Sequence, residues 1–210
     1  MMNKQEIILI GAGGHARSCI DVIEQQGQYS IAGLVGMAEE MHSRHLGYPV
    51  IATDKELAEL ARQYHYALIT VGQIHSPDKR IQLYQQAIEL GYVLPVIIAP
   101  SAYVSRHATL GCGTIVMHKA TLNAGVRVGN NCIINSHALI EHDAIVDDYC
   151  HISTGVMLNG GVKIGAGSFI GSGSVMKEGV TVGARCIVGM SSAVRHNMPD
   201  HARFVAKTTV

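Results

Sequence analysis

The chain has 210 residues, and its sixteen Lys plus Arg balance sixteen Asp plus Glu. That balance, with no basic run, gives no footing for nucleic acid, and no apolar stretch approaches the length of a membrane span. Glycine is abundant at 23 residues, Trp is absent and Phe numbers only two, which suits short strands and tight corners rather than a helical bundle.

The N-terminal MMNKQEIILIGAGG has too short an apolar run for a signal peptide and no small-residue cleavage pattern. Five Cys, at 19, 112, 132, 150 and 186, form no CxxC pair and are odd in number. Reduced thiols and a cytoplasmic location are expected.

QEIILI (5–10) reads as a buried strand, followed by the turn GAGGHA (11–16) and a helix, ARSCIDVIEQQ, ending at Gly27. SIAGLVG (30–36) reads as a second strand. This is a strand–glycine turn–helix–strand unit of the nucleotide-binding α/β type, in which small glycines admit a ligand and the helix N-terminus favours an anion such as a diphosphate. The spacing departs from the full dinucleotide fingerprint, since position 16 is Ala and His15 intrudes. Residues 54–64 predict a short helix, ALITVG (67–72) a strand, and PDKRIQLYQQAIELG (77–91) a capped helix. LPVIIAP then leads out, which places a domain boundary near residue 98. A three- to four-stranded parallel sheet is too small for a whole dinucleotide site and suits a nucleotide-sugar.

From Val104 every sixth residue is aliphatic, through Leu110, Val116, Leu122, Val128, Ile134, Ile140, Val146, Ile152, Leu158, Ile164, Ile170, Met176, Val182, Val188 and Val194. A 3.6-residue helical period cannot produce this beat, whereas a hexapeptide β-helix can, with one flat strand and one corner per hexad. These hexads with their Gly-rich corners resemble the left-handed β-helix acyltransferases. That resemblance implies three hexads per triangular coil, chains associated around the prism axis and sites between neighbours. Residues 18 apart then stack, and Cys132, Cys150, Ser168 and Cys186 form a column of small inward side chains. The fold expected is an α/β N-terminal domain (1–98) with a small Rossmann-like parallel sheet, then an all-β left-handed parallel β-helix (99–210).

The segment NSHALIEHD (135–143) crowds Asn, Ser, two His, Glu and Asp into the repeat. Ile134 and Ile140 keep the beat, and His142 lies at a corner. The stacked positions one coil away are Ala124 and Gly160, both small, so the imidazole would stand in a space a substrate could enter. Glu141 and Asp143 flank it, and a carboxylate on one ring nitrogen fixes the tautomer and raises the basicity of the other. Such a base could take a proton from an amine or hydroxyl attacking a thioester, with the Gly160 N–H receiving the developing oxyanion.

GAGGHA after an N-terminal strand, IEHD, HISTGVMLNGGVKIGAGSFIGSGS and the unbroken hexads together resemble the sialic acid O-acetyltransferase family, which includes the UDP-4-amino-sugar N-acetyltransferases of bacillosamine synthesis. The resemblance spans essentially the whole chain. It implies acetyl-CoA as donor, no metal, a nucleotide-activated amino sugar as acceptor in surface glycan (lipopolysaccharide or capsule) biosynthesis, and a homotrimer with active sites between subunits. It implies His142 as general base, Asp143 as the acid supporting it, and Asn135 near the acceptor amine. His151 and the Gly160 amide would meet the thioester end. Gly171, Ser172, Gly173, Gly189 and Met190 would line the pantetheine groove. Gly13, Gly14 and His15 would hold the nucleotide-sugar, with Gly36, Met37 and Gly72 beside them. Two features depart from the family. Its members usually carry an acid after the second strand, as in F-x-D-D, where this chain has LVGM with Gly36. They also end in G-x-P-A-K, where RFVAKTTV keeps Ala206 and Lys207 without the Pro.

Three rival readings have specific support. A sugar O-acetyltransferase of the sialic acid type needs the same His base. A metal enzyme of the γ-type carbonic anhydrase kind is suggested by the His137-x4-His142 spacing. It lacks a third stacked His, since Lys119 and Ser101 hold those places and His118 and His107 are off them. A non-catalytic trimeric scaffold or ligand-binding protein is favoured by the missing acid at Gly36.

Overall fold

The computed structural model describes residues 4–205, so the tail residues Ala206 and Lys207 lie outside the described residues. The chain divides into two compact units. One runs to Gly72 and takes in Asp78–Pro100; the other joins Gln73–Pro77 to the chain from Ser101.

The first unit contains β1 (Gln5–Ile10), α1 (Gly14–Gln26), β2 (Tyr29–Gly36), β3 (Arg44–His45), β4 (Tyr48–Thr53), α2 (Leu57–Leu60), β5 (Tyr66–Ile69) and α3 (Asp78–Glu89). The sheet order is β3-β4-β2-β1-β5. β1 is central: Ile7, Ile8, Leu9 and Ile10 are all buried, as expected of a parallel strand covered on both faces. α1 buries Ala16, Cys19, Ile20, Val22 and Ile23 along one stripe, and ends where Gly27, at φ 72°, donates its N–H to the Ile23 carbonyl. Desolvation lifts the Cys19 thiol to about 12, so it acts as a small core hydrophobe.

Two details differ from the sequence reading. The segment 54–64 forms a 3-10 turn, Asp54–Glu56, and only one turn of α-helix, α2. Thr53 opens it, with its N–H donating to Glu56 Oε2 at 2.8 Å. The sequence reading also missed β4, which pairs parallel to β2 and antiparallel to β3. Pro49 argues against a strand, yet here it faces only the two-residue β3, where the missing N–H is tolerated.

The second unit is a parallel β-helix. Its first face stacks Tyr103–Val104, Thr121–Leu122, Leu139–Ile140, Met157–Leu158, Val175–Met176 and Ala193–Val194. Its second face runs from Thr109–Leu110 to Thr181–Val182, and its third carries Ile115–Val116, Ile133–Ile134, His151–Ile152, Phe169–Ile170, Ile187–Val188 and Arg203–Phe204. Partners are 18 residues apart, as in Ile140↔Leu158 and Val146↔Ile164, until the last strand of the third face, where Ile187 pairs with Arg203, 16 residues on. The second residue of each pair points inward, and from Val116 to Val194 each of these is buried. A fully buried aliphatic side chain contributes about 1.5–3 kcal/mol.

The corners follow the same clock. From Gly113 to Ser191 the residue closing each corner takes a left-handed conformation, whether Gly125 and Gly161 or His137, Asp143 and Tyr149. The inward column at the start of the third face satisfies the corner carbonyls. Thr114 Oγ1 donates to Gly129 O at 2.7 Å, Cys132 Sγ to Asp147 O at 3.1 Å, Cys150 Sγ to Gly165 O at 3.2 Å and Ser168 Oγ to Gly183 O at 2.8 Å. These thiols are core donors, and burial pushes those of Cys150 and Cys186 upward.

Candidate active site

NSHALIEHD spans two corners joined by the strand Leu139–Ile140. Asn135–His137 lies between the third and first faces, and Glu141–Asp143 between the first and second. Asp143 closes its corner at φ 58°, a conformation that Asp tolerates better than most residues. The reversal turns its carboxylate back on its neighbour, and His142 Nδ1 meets Asp143 Oδ2 at 3.0 Å. Nδ1 therefore carries the proton, and Nε2 holds the lone pair.

Two glycines make room for this pair. A Cβ on Gly160 would lie 2.7 Å from His142 Nε2 and 2.8 Å from Cε1. A Cβ on Gly125, one coil back, would collide with Asp143 Oδ1. Gly160 is buried, and its N–H has no acceptor among the described residues. Between the second and third faces three of the matching N–H groups are capped by side chains: Cys112 N–H by Asn130 Oδ1, Asn130 N–H by Asp148 Oδ1 and Ala184 N–H by Asp200 Oδ1. The imidazole sits beside an uncapped corner amide, an arrangement suited to proton removal next to an oxyanion donor.

The imidazole pKa is raised. The Asp143 hydrogen bond is the largest cause, desolvation opposes it, and the charges of Asp143, Glu141 and Glu178 add to it. Glu178 stands two coils beyond His142, with Gly160 between them. Glu141 is held by Asn123 Nδ2 at 2.9 Å. Removing the largest raising cause must lower the pKa. In an NMR titration, His142 is expected to protonate at a midpoint above the ordinary value of about 6.5, and Asp143→Asn to move that midpoint down. An unmoved midpoint would show that the two side chains do not interact in solution.

The single chain places the other repeat residues elsewhere. Asn135 is at the opposite end of the first-face strand from His142. Its Oδ1 accepts the Ser136 N–H at 2.8 Å, and its Nδ2 approaches His151 Nε2 at 3.4 Å. His151 is only 8% exposed. Its Nδ1 lies 2.7 Å from the Gln73 carbonyl, and its ring meets Phe169 edge-on at 5.2 Å. A carbonyl only accepts, so Nδ1 is the protonated nitrogen and Nε2 faces the Asn135 amide. Gln73 is pinned in turn by its own bond to Gly167 O at 3.2 Å. Gly171, Ser172, Gly173, Gly189 and Met190 share the corner between the third and first faces. A Cβ on Gly171 would lie 2.5 Å from Met190 N, Ser172 Oγ meets Ser153 Oγ at 2.8 Å, and Met190 is 76% exposed. One chain thus carries two half-sites on the two edges of its first face. Among the described residues no group of three or more His, Cys, Asp or Glu is placed to hold a metal ion.

In the first unit, Gly13, Gly14, His15, Gly36, Met37 and Gly72 line one cleft of about 390 Å³. A Cβ on Gly13 or Gly14 would meet nothing within 4 Å, so the fold itself does not require glycine there; the space is open to a ligand. α1 starts at this cleft with no side-chain cap and no acid in its first turn, leaving its N-terminal amides ready for an anion. Three charged cleft residues escaped the sequence reading: Glu40, Asp54 and Lys79. Lys79 Nζ pairs with Asp54 Oδ2 at 2.6 Å. Both lie within elements that the sequence did predict, Lys79 in the first turn of α3 and Asp54 at the start of the 54–64 segment, and their place at the beginning of those elements was the available signal.

Residues 6–87 match the family model described as the PglD N-terminal domain. Residues 107–142 and 161–196 match that of the bacterial transferase hexapeptide (six repeats). A histidine mutant of perosamine N-acetyltransferase from Caulobacter crescentus, solved in complex with CoA and GDP-perosamine, is 31% identical over 98% of this chain and 95% of that one, with a TM-score of 0.90. The acetyltransferase domain of PglB from Neisseria gonorrhoeae FA1090, in complex with acetyl coenzyme A, is 31% identical over 97% of each chain, with a TM-score of 0.89. WeeI from Acinetobacter baumannii AYE shares the fold at 19% identity over 95% of this chain and 96% of that one, with a TM-score of 0.82. No curated protein matches the chain.

Proposed function

Because the chain belongs to the hexapeptide-repeat amino-sugar N-acetyltransferases that carry a PglD-type N-terminal domain, we propose that it moves acetyl from acetyl-CoA to the amino group of a nucleotide-linked 4-amino-4,6-dideoxy sugar in surface glycan biosynthesis. The observation that carries this reading is the His142–Asp143 pair over Gly160.

The geometry supports the following roles. Asp143 holds the Nδ1 proton, so His142 Nε2 accepts a proton from the acceptor as it attacks the thioester carbonyl. The uncapped Gly160 N–H receives the oxyanion of the tetrahedral intermediate. No covalent enzyme intermediate is needed. An amine acceptor is favoured over a hydroxyl by the charges around the base: Asp143, Glu141 and Glu178 all act on His142, and a sugar ammonium is drawn to such a ring.

The donor thioester suits the other edge of the first face, where Gly171, Gly173 and Gly189 add no side chains to the corner they share with Ser172 and Met190, along the same edge as Asn135. The two edges meet if copies of the chain pack around a three-fold axis. Support for such packing comes from the first face itself, whose outward residues include Leu139, Met157, which is 41% exposed, and Val175.

The test is thiol release from acetyl-CoA by the purified protein, with UDP- and GDP-linked 4-amino-4,6-dideoxy sugars in separate reactions and sialic acid in a third. Release with an amino sugar supports the proposal. Release with sialic acid alone would replace it with O-transfer, and no release above hydrolysis would remove the acetyltransferase assignment. The raised His142 pKa sets the profile: kcat/KM falls as pH drops through that value, because protonated imidazole cannot accept a proton.

A further inference from the structure

The acid expected after the second strand is absent at Gly36, yet a carboxylate stands over that position. The 3-10 turn Ala38–Glu40 folds Glu40 back so that its Oε2 accepts the Met37 N–H at 2.8 Å. A Cβ on Gly36 would lie 2.7 Å from the same oxygen. Gly36 therefore leaves room for the Glu40 carboxylate to pack over β2. Glu40 is half-buried and lines the cleft with Gly13 and Gly14. Its Oε1 has no partner among the described residues.

We propose that Glu40 takes the ribose hydroxyls of the bound nucleotide, so that the cleft selects sugars carried on ribonucleoside diphosphates over those carried on 2′-deoxyribonucleoside diphosphates. This rests on the nucleotide-sugar reading above. A carboxylate is an acceptor only, so it needs donors, and a ribose diol supplies two adjacent O–H groups. In a strand–turn–helix–strand unit the diphosphate belongs at the helix N-terminus, here the uncapped start of α1, and the acid at the end of the neighbouring strand meets the ribose. The orientation is enforced from both ends, because Glu40 repels phosphate and the α1 amides attract it. Loss of the 2′-hydroxyl removes one charge-assisted bond and strands a half-buried acceptor, so the ribo form is expected to bind on the order of 10-fold tighter or more.

Calorimetric titration of the full chain with UDP, dUDP, GDP and dGDP tests this, since each pair differs by one oxygen. The expected result is a ribo-over-deoxy preference within the base pair that binds. Glu40→Ala should reduce that ratio to near one by weakening the ribo form alone. Glu40→Gln keeps an oxygen for the Met37 N–H, and should lower the ratio at least severalfold with an unchanged melting temperature. Equal affinities for the twins in the unaltered protein, or a ratio that survives both substitutions, would overturn the role of Glu40 while leaving the nucleotide site in place. If none of the four nucleotides binds, the nucleotide-sugar reading itself fails, and the Glu40 assignment with it.

Discussion

His142→Ala is expected to lower kcat by about 10²- to 10⁴-fold, the range for loss of a positioned general base, with little change in the folding transition. The side chain is 63% exposed and lies outside the column formed by Ile140, Leu158 and their neighbours, so its removal opens no cavity. The backbone bonds that hold its corner, Gly161 N–H to His142 O at 2.9 Å and Asp143 N–H to Ala124 O at 3.1 Å, do not involve the ring. Steady-state kinetics beside a thermal melt separates the two effects. KM for the nucleotide-sugar should change little, because the first unit's cleft is untouched. Turnover within a few-fold of the unaltered protein would end the assignment of His142 as the base.

Gly160→Ala should cost nearly as much for a different reason, with an expected loss on the order of 10²-fold in kcat, in keeping with how steeply rate depends on the placement of reacting groups. The new methyl would occupy a point 2.7 Å from His142 Nε2. The imidazole is the end of a flexible side chain and can swing away, so the fold survives while the base leaves its position. The amide N–H remains, which makes this substitution a probe of base placement rather than of oxyanion binding. Stopped-flow or steady-state rates measured with the melting temperature give the answer. Full activity in Gly160→Ala would mean that the imidazole works from another rotamer. Gly125→Ala is a harsher change, because Gly125 also has φ +77°, where any Cβ is strained.

The repeat was legible because one aliphatic residue per hexad faces inward and nothing else in the chain keeps that period. The 18-residue stack then made Gly160 readable as the neighbour of His142. Glu178 lies one further coil along the same stack, and the same arithmetic would have found it. The Gln73–His151 bond was out of reach, since it joins residues 78 apart in sequence and Gln73 belongs to no repeat. β4 was hidden by Pro49, whose edge position only pairing reveals. Glu40 was hidden by the expectation of an acid at position 36 itself. A carboxylate delivered by a turn three residues later leaves no mark in the spacing of the strand, and its place depends on the Met37 N–H that draws it back.

The corner clock has a consequence for how this chain can be altered without being unmade. A coil is a cassette: excise or duplicate eighteen residues and every inward aliphatic, left-handed corner and Oγ or Sγ donor finds an equivalent partner. Excising the coil between the His142 corner and the Gly171–Gly173 corner would nonetheless slide one half-site past the other by about one strand spacing, 4.7–4.9 Å. Proton transfer tolerates far less than that. In this architecture the length of the ruler and the position of its marks are separate variables, so a chain can remain fully built and yet be one notch out of alignment.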